Sequence, residues 1–135
     1  MNLASLLNEP WPDWDLFSWN GWELRLAAGT DLSYHHGLEL VFAGVSYLAC
    51  PAQFHDPRFR EPTPQERDTV LRYVGEPPPV VVAFDIEAES GGGVLPCIVA
   101  AEGLEVVTGM VYRYWRENLR EGERLSPYVR RPDGS

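Results

Sequence analysis

Apolar and polar residues alternate with a period of two along much of the chain, as they do in strands that bury one face. The clearest case is the stretch DWDLFSWNGWELRLA at residues 13–27. Asn20-Gly21 favours a two-residue hairpin turn, because both positions of such a turn require a positive φ. This turn pairs Trp19 with Trp22 across the hairpin. The predicted buried face of the hairpin comprises Phe17, Trp19, Trp22, Leu24 and Leu26.

A second region of this kind, DLSYHHGLELVFAGVSYLAC, covers residues 31–50. Glycine supplies the left-handed backbone conformation that tight turns need, so we expect a hairpin turn at His36-Gly37. On this interpretation His35 and His36 lie at the tip of a hairpin. A further turn at Gly44 separates two strands within the region.

Residues 80–89, VVVAFDIEAE, alternate without a break. Their apolar side chains point to one face of the predicted strand. Asp85, Glu87 and Glu89 point to the other face, about 6.6 Å apart along the strand. The SGGG turn that follows predicts that residues 94–101 return as the partner strand.

One segment carries the signals of a helix, and it spans residues 63–75. Thr63 is an N-cap followed directly by Pro64, and Glu66 completes a capping box. Gly75 supplies the left-handed residue that ends many helices.

Two other segments are less regular. The prolines of residues 51–62 limit this connection to one short edge strand near Phe59. Residues 110–121 fit either a strand or a helix. Their valine and tyrosine content favours a strand that runs through about Trp115.

The whole pattern predicts an α+β fold that is mainly antiparallel β, with about eight short strands and one capped helix. The strands form either a curled sheet or a two-layer β structure. We expect a single domain over residues 1–135, because no repeat or linker divides the chain, and a loosely ordered tail at residues 126–135.

The charge of the chain excludes several kinds of chemistry. It has 20 acidic and 11 basic residues, a net charge of −9, and every basic residue is arginine. The absence of lysine excludes Schiff-base catalysis and a P-loop. Residues 1–111 carry 16 acids against 5 arginines, so this part of the chain repels nucleic acid and favours a basic protein partner.

The sequence also predicts a compartment. It lacks an apolar run of the roughly 18 residues that a membrane span needs. Its start, MNLASLLNEPWPD, has no basic region and no small-residue cleavage site, so we expect a cytoplasmic protein without membrane contact. In that compartment Cys50 and Cys97 are expected to be buried thiols rather than a disulfide.

The histidines offer one candidate site. His35, His36, His55 and Asp56 are the groups that a small-molecule pocket or a hydrolase would use. Adjacent residues of a strand point to opposite faces, so His35 and His36 do not readily converge on one ion. The chain has no HExxH or similar ligand spacing, and we expect neither a metal nor a cofactor.

Acids and tryptophans offer a second candidate site. The row formed by Asp85, Glu87 and Glu89 is either a solvated outer face or a surface that meets a basic protein. Trp11 and Trp14 lie beside acidic residues, and they are either core residues or exposed anchors of an interface.

The sequence contains no catalytic constellation, so we expect a non-enzymatic protein-binding module that uses its acidic strand face. In its general type the chain is similar to small acidic bacterial proteins that bind other proteins, among them immunity proteins and inhibitors. The alternative is a small-molecule-binding protein or small hydrolase that uses a histidine and a carboxylate in a pocket of the curled sheet.

Overall fold

The structure, a computed structural model, describes residues 11–132, and this part of the chain contains ten strands and one helix. No helix in these residues is long and apolar enough to cross a membrane. The helix is α1 (Pro64–Val74). The strands are β1 (Asp13–Trp19), β2 (Glu23–Gly29), β3 (His35–Ala43), β4 (Tyr47–Ala49), β5 (Gln53–His55), β6 (Arg58–Arg60), β7 (Val80–Glu87), β8 (Val94–Ala101), β9 (Gly103–Tyr112) and β10 (Arg124–Leu125).

The strands form two sheets. One has six strands in the order β10-β9-β3-β2-β1-β5, and the other has four strands in the order β4-β8-β7-β6. All pairings between these strands are antiparallel except that of β10 with β9. The predicted α+β fold, mainly antiparallel and with one helix, is confirmed, and it is the two-layer form.

The core lies between the two sheets. Its aromatic rings join the layers: Trp14 stacks on Phe54 with ring centroids 6.0 Å apart, and Phe54 stacks on Phe84 at 5.1 Å. Trp14 and Phe54 belong to the six-stranded sheet and Phe84 to the four-stranded sheet, so burial of these rings holds the layers together. The other buried core residues are Leu24, Leu26, Ala28, Leu38, Leu40, Phe42, Val82, Ile86, Cys97, Val99 and Ala101.

Helix α1 covers the outer face of the four-stranded sheet, where its buried residue Val70 packs with Ile98 of β8. The predicted capping box is confirmed. The Thr63 hydroxyl accepts from the Glu66 N–H at 3.1 Å, and the Glu66 carboxylate accepts from the Thr63 N–H at 2.8 Å. Gly75 ends the helix with a φ of 93°.

The β2–β3 hairpin turns earlier in the chain than predicted. The Asp31 carbonyl accepts hydrogen bonds from the N–H groups of Tyr34 and His35, and its side chain accepts from Ser33. His35 and His36 therefore lie inside β3, and the prediction that they form the tip of a hairpin is wrong. Asp31 and Ser33 are residue types that favour turns, and they were the local signal for a turn at this position.

Gly37 allows close packing rather than a turn. It lies at an irregularity in the pairing of β3 with β9, between His36 and Leu38. A ring carbon of Trp11 lies 2.7 Å from the point at which a Gly37 Cβ would stand. A side chain at this position would displace the tryptophan.

The β1–β2 hairpin has a different register from the predicted one. Trp19 pairs with Leu24 rather than with Trp22, because β1 contains a bulge between Leu16 and Ser18. A bulge inserts one unpaired residue into a strand, and every later residue then has a new partner.

The residue inserted at the bulge is Phe17, which turns to the outer face of the sheet. The Asn20 side chain accepts hydrogen bonds from the N–H groups of Trp22 and Glu23 and stabilises the wider loop. Trp19 and Trp22 are 44% and 63% exposed. The prediction that Phe17, Trp19 and Trp22 belong to the buried face of the hairpin is therefore wrong.

Strand β9 ends at Tyr112, slightly before the predicted Trp115, and the described residues contain no helix after it. Residues 113–131, which we call the C-terminal strap, contact the outer face of the six-stranded sheet. Ser126 is buried, and its N–H donates to the Tyr112 carbonyl at 2.8 Å. The start of the segment predicted as a loosely ordered tail, residues 126–135, therefore makes defined contacts with the sheet.

Replacement of Thr63 by alanine is expected to lower the free energy of unfolding by about 1 kcal/mol, because the N–H of Glu66 loses its acceptor. Thr69→Ala is the matched control, since the Thr69 hydroxyl only donates to the Gln65 carbonyl within the exposed part of the helix. Urea unfolding of both variants measures the difference. A Thr63→Ala variant no less stable than Thr69→Ala would contradict the capping role.

Candidate functional site

The predicted acidic row on β7 begins with an internal ion pair. Asp85 lies on the outer face, and its two carboxylate oxygens each accept from Arg60 at 3.0 Å. The same guanidinium donates to both oxygens of Glu66 at 2.6 and 2.9 Å, and these bonds lower the pKa of Glu66 to about 2. Arg60 thus joins the four-stranded sheet to the first turn of α1, and both oxygens of Asp85 are already occupied within the protein.

The other two acids of the row stand in solvent. The side chains of Glu87 and Glu89 are 77% and 80% exposed. Arg58 lies 3.8 Å from Glu87, and His55 lies 3.6 Å from Glu89. Exposed pairs at such distances bind weakly, so Glu87 and Glu89 remain accessible to a partner.

The four residues of the predicted pocket do not converge. His36 on β3 and His55 on β5 are separated by β2 and β1, which corresponds to about 14 Å across the sheet. His35 packs against the ring of Tyr112, and Asp56 lies in the turn after β5 with a φ of 48°. Within residues 11–132 no group of three or more histidine, cysteine, aspartate or glutamate side chains is placed to hold a metal ion.

A connected set of charged groups lies instead on the outer face of the six-stranded sheet, against the C-terminal strap. His36 is 0% exposed and Glu39 is 2% exposed. Such burial requires that every polar atom find a partner. We call this set the charge network, and it comprises Asp15, Arg25, His36, Glu39, Arg113 and Arg124.

Glu39 lies at the centre of the charge network. One carboxylate oxygen accepts from Arg25 at 2.7 Å, and the other accepts from His36 Nε2 at 2.7 Å and from Arg124 at 3.3 Å. The hydrogen bond from His36, supported by Arg25 and Arg124, lowers the pKa of Glu39 to about 2 despite its burial. The carboxylate is therefore charged at neutral pH.

Arg113 connects the strap to the network. Its terminal nitrogens donate to the two oxygens of Asp15 at 2.7 and 3.0 Å, and its Nε donates to Nδ1 of His36 at 3.1 Å. A guanidinium can only donate, so Nδ1 accepts and the ring proton lies on Nε2, where it bonds Glu39. These partners assign His36 as a neutral imidazole.

The bulge in β1 supplies the apolar wall of the network. The ring of Phe17 packs edge-on against His36 at 4.6 Å, and the Arg113 guanidinium lies 4.8 Å from its centroid. Tyr128 of the strap packs beside the same ring at 6.0 Å. The register predicted from a two-residue turn at Asn20-Gly21 would have placed Phe17 opposite Leu24, in the core between the sheets.

The charge network gives no support to histidine-based hydrolysis. The ring of His36 has no exposed surface, and both of its nitrogens are occupied by protein groups. A general base must lie within hydrogen-bonding reach of the proton that it removes from a substrate. No substrate can approach His36 in this arrangement.

Of the two interpretations of Trp11 and Trp14, the structure shows the core one. Trp14 is 2% exposed, and its Nε1 donates to the carbonyl of the half-buried Trp11 at 2.7 Å. Both pack with the core, so the interpretation of Trp11 and Trp14 as exposed anchors is wrong. Trp19 and Trp22, at the β1–β2 loop, have the exposure that an anchor requires.

Trp22 is held beside an acidic side chain. Its carbonyl accepts from the Val45 N–H at 3.1 Å. Gly44 has a φ of 66°, and Trp22 Cη2 and Glu102 Cγ lie 3.2 and 2.7 Å from the point at which its Cβ would stand. The indole and the glutamate are therefore neighbours over the glycine. We call the surface formed by Trp19, Trp22 and Glu102 the hairpin surface.

The cysteines have no reactive character. Both are free thiols, with Cys97 buried and Cys50 half-buried. Burial raises the pKa of each thiol to about 11. Both therefore stay protonated at neutral pH, and a protonated thiol is a poor nucleophile.

Sequence reasoning missed Glu39, although a signal was present. This acid lies in the middle of the apolar run LELVF, and an acid there indicates a buried charge that needs a cationic partner. The exposure of Trp22 had no such signal in the sequence, because it depends on the bulge at Phe17 in the preceding strand.

Comparison with known proteins finds no family model, curated protein or solved structure that matches the chain.

Replacement of Glu39 by glutamine is expected to lower the free energy of unfolding at neutral pH by about 3 kcal/mol, because Arg25 and Arg124 lose a buried carboxylate. Folding depresses the pKa of Glu39 from 4.5 to about 2, so this contribution is present above pH 4.5 and is lost as the pH falls towards 2. The difference between wild type and variant, measured by urea unfolding, therefore shrinks over that range.

Glu105→Gln is the matched control, because Glu105 is an exposed acid of the neighbouring strand β9. Its loss is expected to change the unfolding free energy by less than about 0.5 kcal/mol. Equal effects of the two substitutions would show that the burial and partners of Glu39 are unimportant.

Proposed function

We propose that this protein is a protein-binding domain whose partner presents a basic surface, and that the hairpin surface is the centre of the contact. The observation that carries the proposal is the exposure of two tryptophans of one hairpin, 44% for Trp19 and 63% for Trp22, of which Trp22 lies beside Glu102. Tryptophan is among the residues that contribute most to protein interfaces.

The hairpin surface is pre-organised for binding. Trp22 packs on the Cβ-free face of Gly44, and its backbone is hydrogen-bonded on both sides of the loop. A side chain that is already ordered loses little conformational entropy when a partner binds. This order distinguishes Trp22 from an incidental exposed aromatic residue.

The chemistry of the surface favours an arginine of the partner. A guanidinium stacks on an indole ring and donates in its own plane to a carboxylate, as Trp22 and Glu102 together would allow. The net charge of −9 attracts such a partner over longer distances. The same charge disfavours nucleic acid.

Glu87 and Glu89 are exposed acids at the opposite end of β8 from Glu102, and they add to the net negative charge that attracts a basic partner, whereas Asp85 serves the internal pair with Arg60. An immunity- or inhibitor-type role is one in which a small acidic domain of this kind neutralises a basic protein. No part of the proposal requires a catalytic group or a cofactor.

Substitution of Trp22 by alanine is expected to weaken partner binding by about 2 kcal/mol, or about thirtyfold in Kd, because the aromatic anchor is lost. Immobilised wild type, Trp22→Ala and Tyr73→Ala are compared for capture from a lysate of the native host, at low and at high salt. Tyr73 is the matched control, since it is an aromatic residue of α1 that is 77% exposed and is not part of the hairpin surface.

The expected result is a basic protein that wild type and Tyr73→Ala retain at low salt, that high salt releases, and that Trp22→Ala loses. Capture that is indifferent to salt would contradict the basic partner. Equal capture by Trp22→Ala and wild type would remove the hairpin surface from the contact.

A further inference from the structure

The C-terminal strap is attached through a few backbone bonds and a set of charged side chains. Its strand pairing with the sheet is limited to the two residues of β10, and the N–H groups of Ser126 and Arg113 donate to the carbonyls of Tyr112 and Tyr34. Arg113 binds Asp15 through two hydrogen bonds and also donates to the Leu32 carbonyl at 3.1 Å, and Arg124 binds Glu39. Whatever alters these side-chain contacts alters the attachment of the strap.

His36 lies between the two attachment points. Its Nδ1 accepts from Arg113, and its Nε2 donates to the carboxylate that also binds Arg124. The contact with Arg113 exists only while Nδ1 carries no proton. A second proton on the ring would set an N–H group against the N–H of the guanidinium.

The charges around His36 disfavour a second proton on the imidazole. The groups that bond to it or to its partners are Asp15 from β1, Arg25 from β2, Glu39 from β3, and Arg113 and Arg124 from the strap. They form two carboxylates and three guanidinium groups, while Glu23 binds Arg25 further along β2. A protonated His36 would add a further positive charge to a buried site where guanidinium groups already outnumber carboxylates.

We propose that His36 is a proton-operated latch, whose protonation releases Arg113 and frees the C-terminal strap from the outer face of the six-stranded sheet. The proton is taken from solvent at Nδ1, and the Arg113 Nε–H loses its acceptor. Histidine is the side chain suited to this task, because its charge changes between about pH 5 and 8. The strap is closed while His36 is neutral and opens when the imidazole takes the second proton.

Opening of the strap uncovers the apolar ring of Phe17, which loses its contacts with Arg113 and Tyr128. The released form therefore exposes an aromatic side chain that the closed form partly covers. This inference does not depend on the hairpin surface or its partner.

Hydrogen–deuterium exchange of the full chain at pH 7.5 and 5.5 tests the latch, with the core strands β7 and β8 as an internal reference for the intrinsic effect of pH. In the wild type, protection of residues 113–131 relative to the reference is expected to fall about tenfold at the lower pH. His36→Gln cannot be protonated, so its strap is expected to show no such change. His55→Gln, which alters an exposed histidine, is expected to behave as wild type.

Strap protection that is constant with pH in the wild type would overturn the proposal, and so would an unchanged pH response in His36→Gln. A second measurement does not depend on the folding of that variant. Carbon-13 shifts of the imidazole in histidine-labelled wild type report the tautomer of His36. The proposal requires a neutral Nε2–H ring at pH 7.5, and a doubly protonated ring at that pH would overturn it.

Discussion

Glu39 occupies the middle of the outer face of the six-stranded sheet, and a carboxylate is stable there only because His36, Arg25 and Arg124 donate to it. This requirement organises the surrounding chain. Arg25 comes from β2, His36 from the start of β3, and Arg124 from the strap. One buried charge therefore determines how three separate segments meet, and Arg113 extends the same contact to Asp15 on β1.

The lack of lysine is consistent with this arrangement. Arg113 makes two bonds to Asp15 and one each to His36 and the Leu32 carbonyl, while Arg60 binds Asp85 and Glu66 together. A planar guanidinium donates in several fixed directions, whereas an ammonium acts as a point charge. The two faces of the molecule are thus held in the same way: Arg60 ties α1 to the smaller sheet, and Arg113 ties the strap to the larger one.

The bulge in β1 lies between the charge network and the hairpin surface. Its unpaired residue, Phe17, packs outward against His36, and the shifted register pairs Trp19 with Leu24. The altered loop leaves Trp22 exposed over Gly44, beside Glu102. A single inserted residue therefore supplies an apolar wall to the charge network on one side and an exposed aromatic pair at the end of the hairpin.

The sequence by itself determined the features that depend on neighbouring residues. The alternation of residues 80–89 identified the inner and outer faces of β7, and the Thr63 capping box identified α1, because both signals lie within a few residues of the structure that they specify. Only the tertiary structure decided that Trp19 and Trp22 are exposed, because a one-residue bulge reassigns every position beyond it. Likewise, Glu39 and Arg124 meet only after β9 has returned the chain to the sheet, and no local pattern specifies contact between groups 85 residues apart.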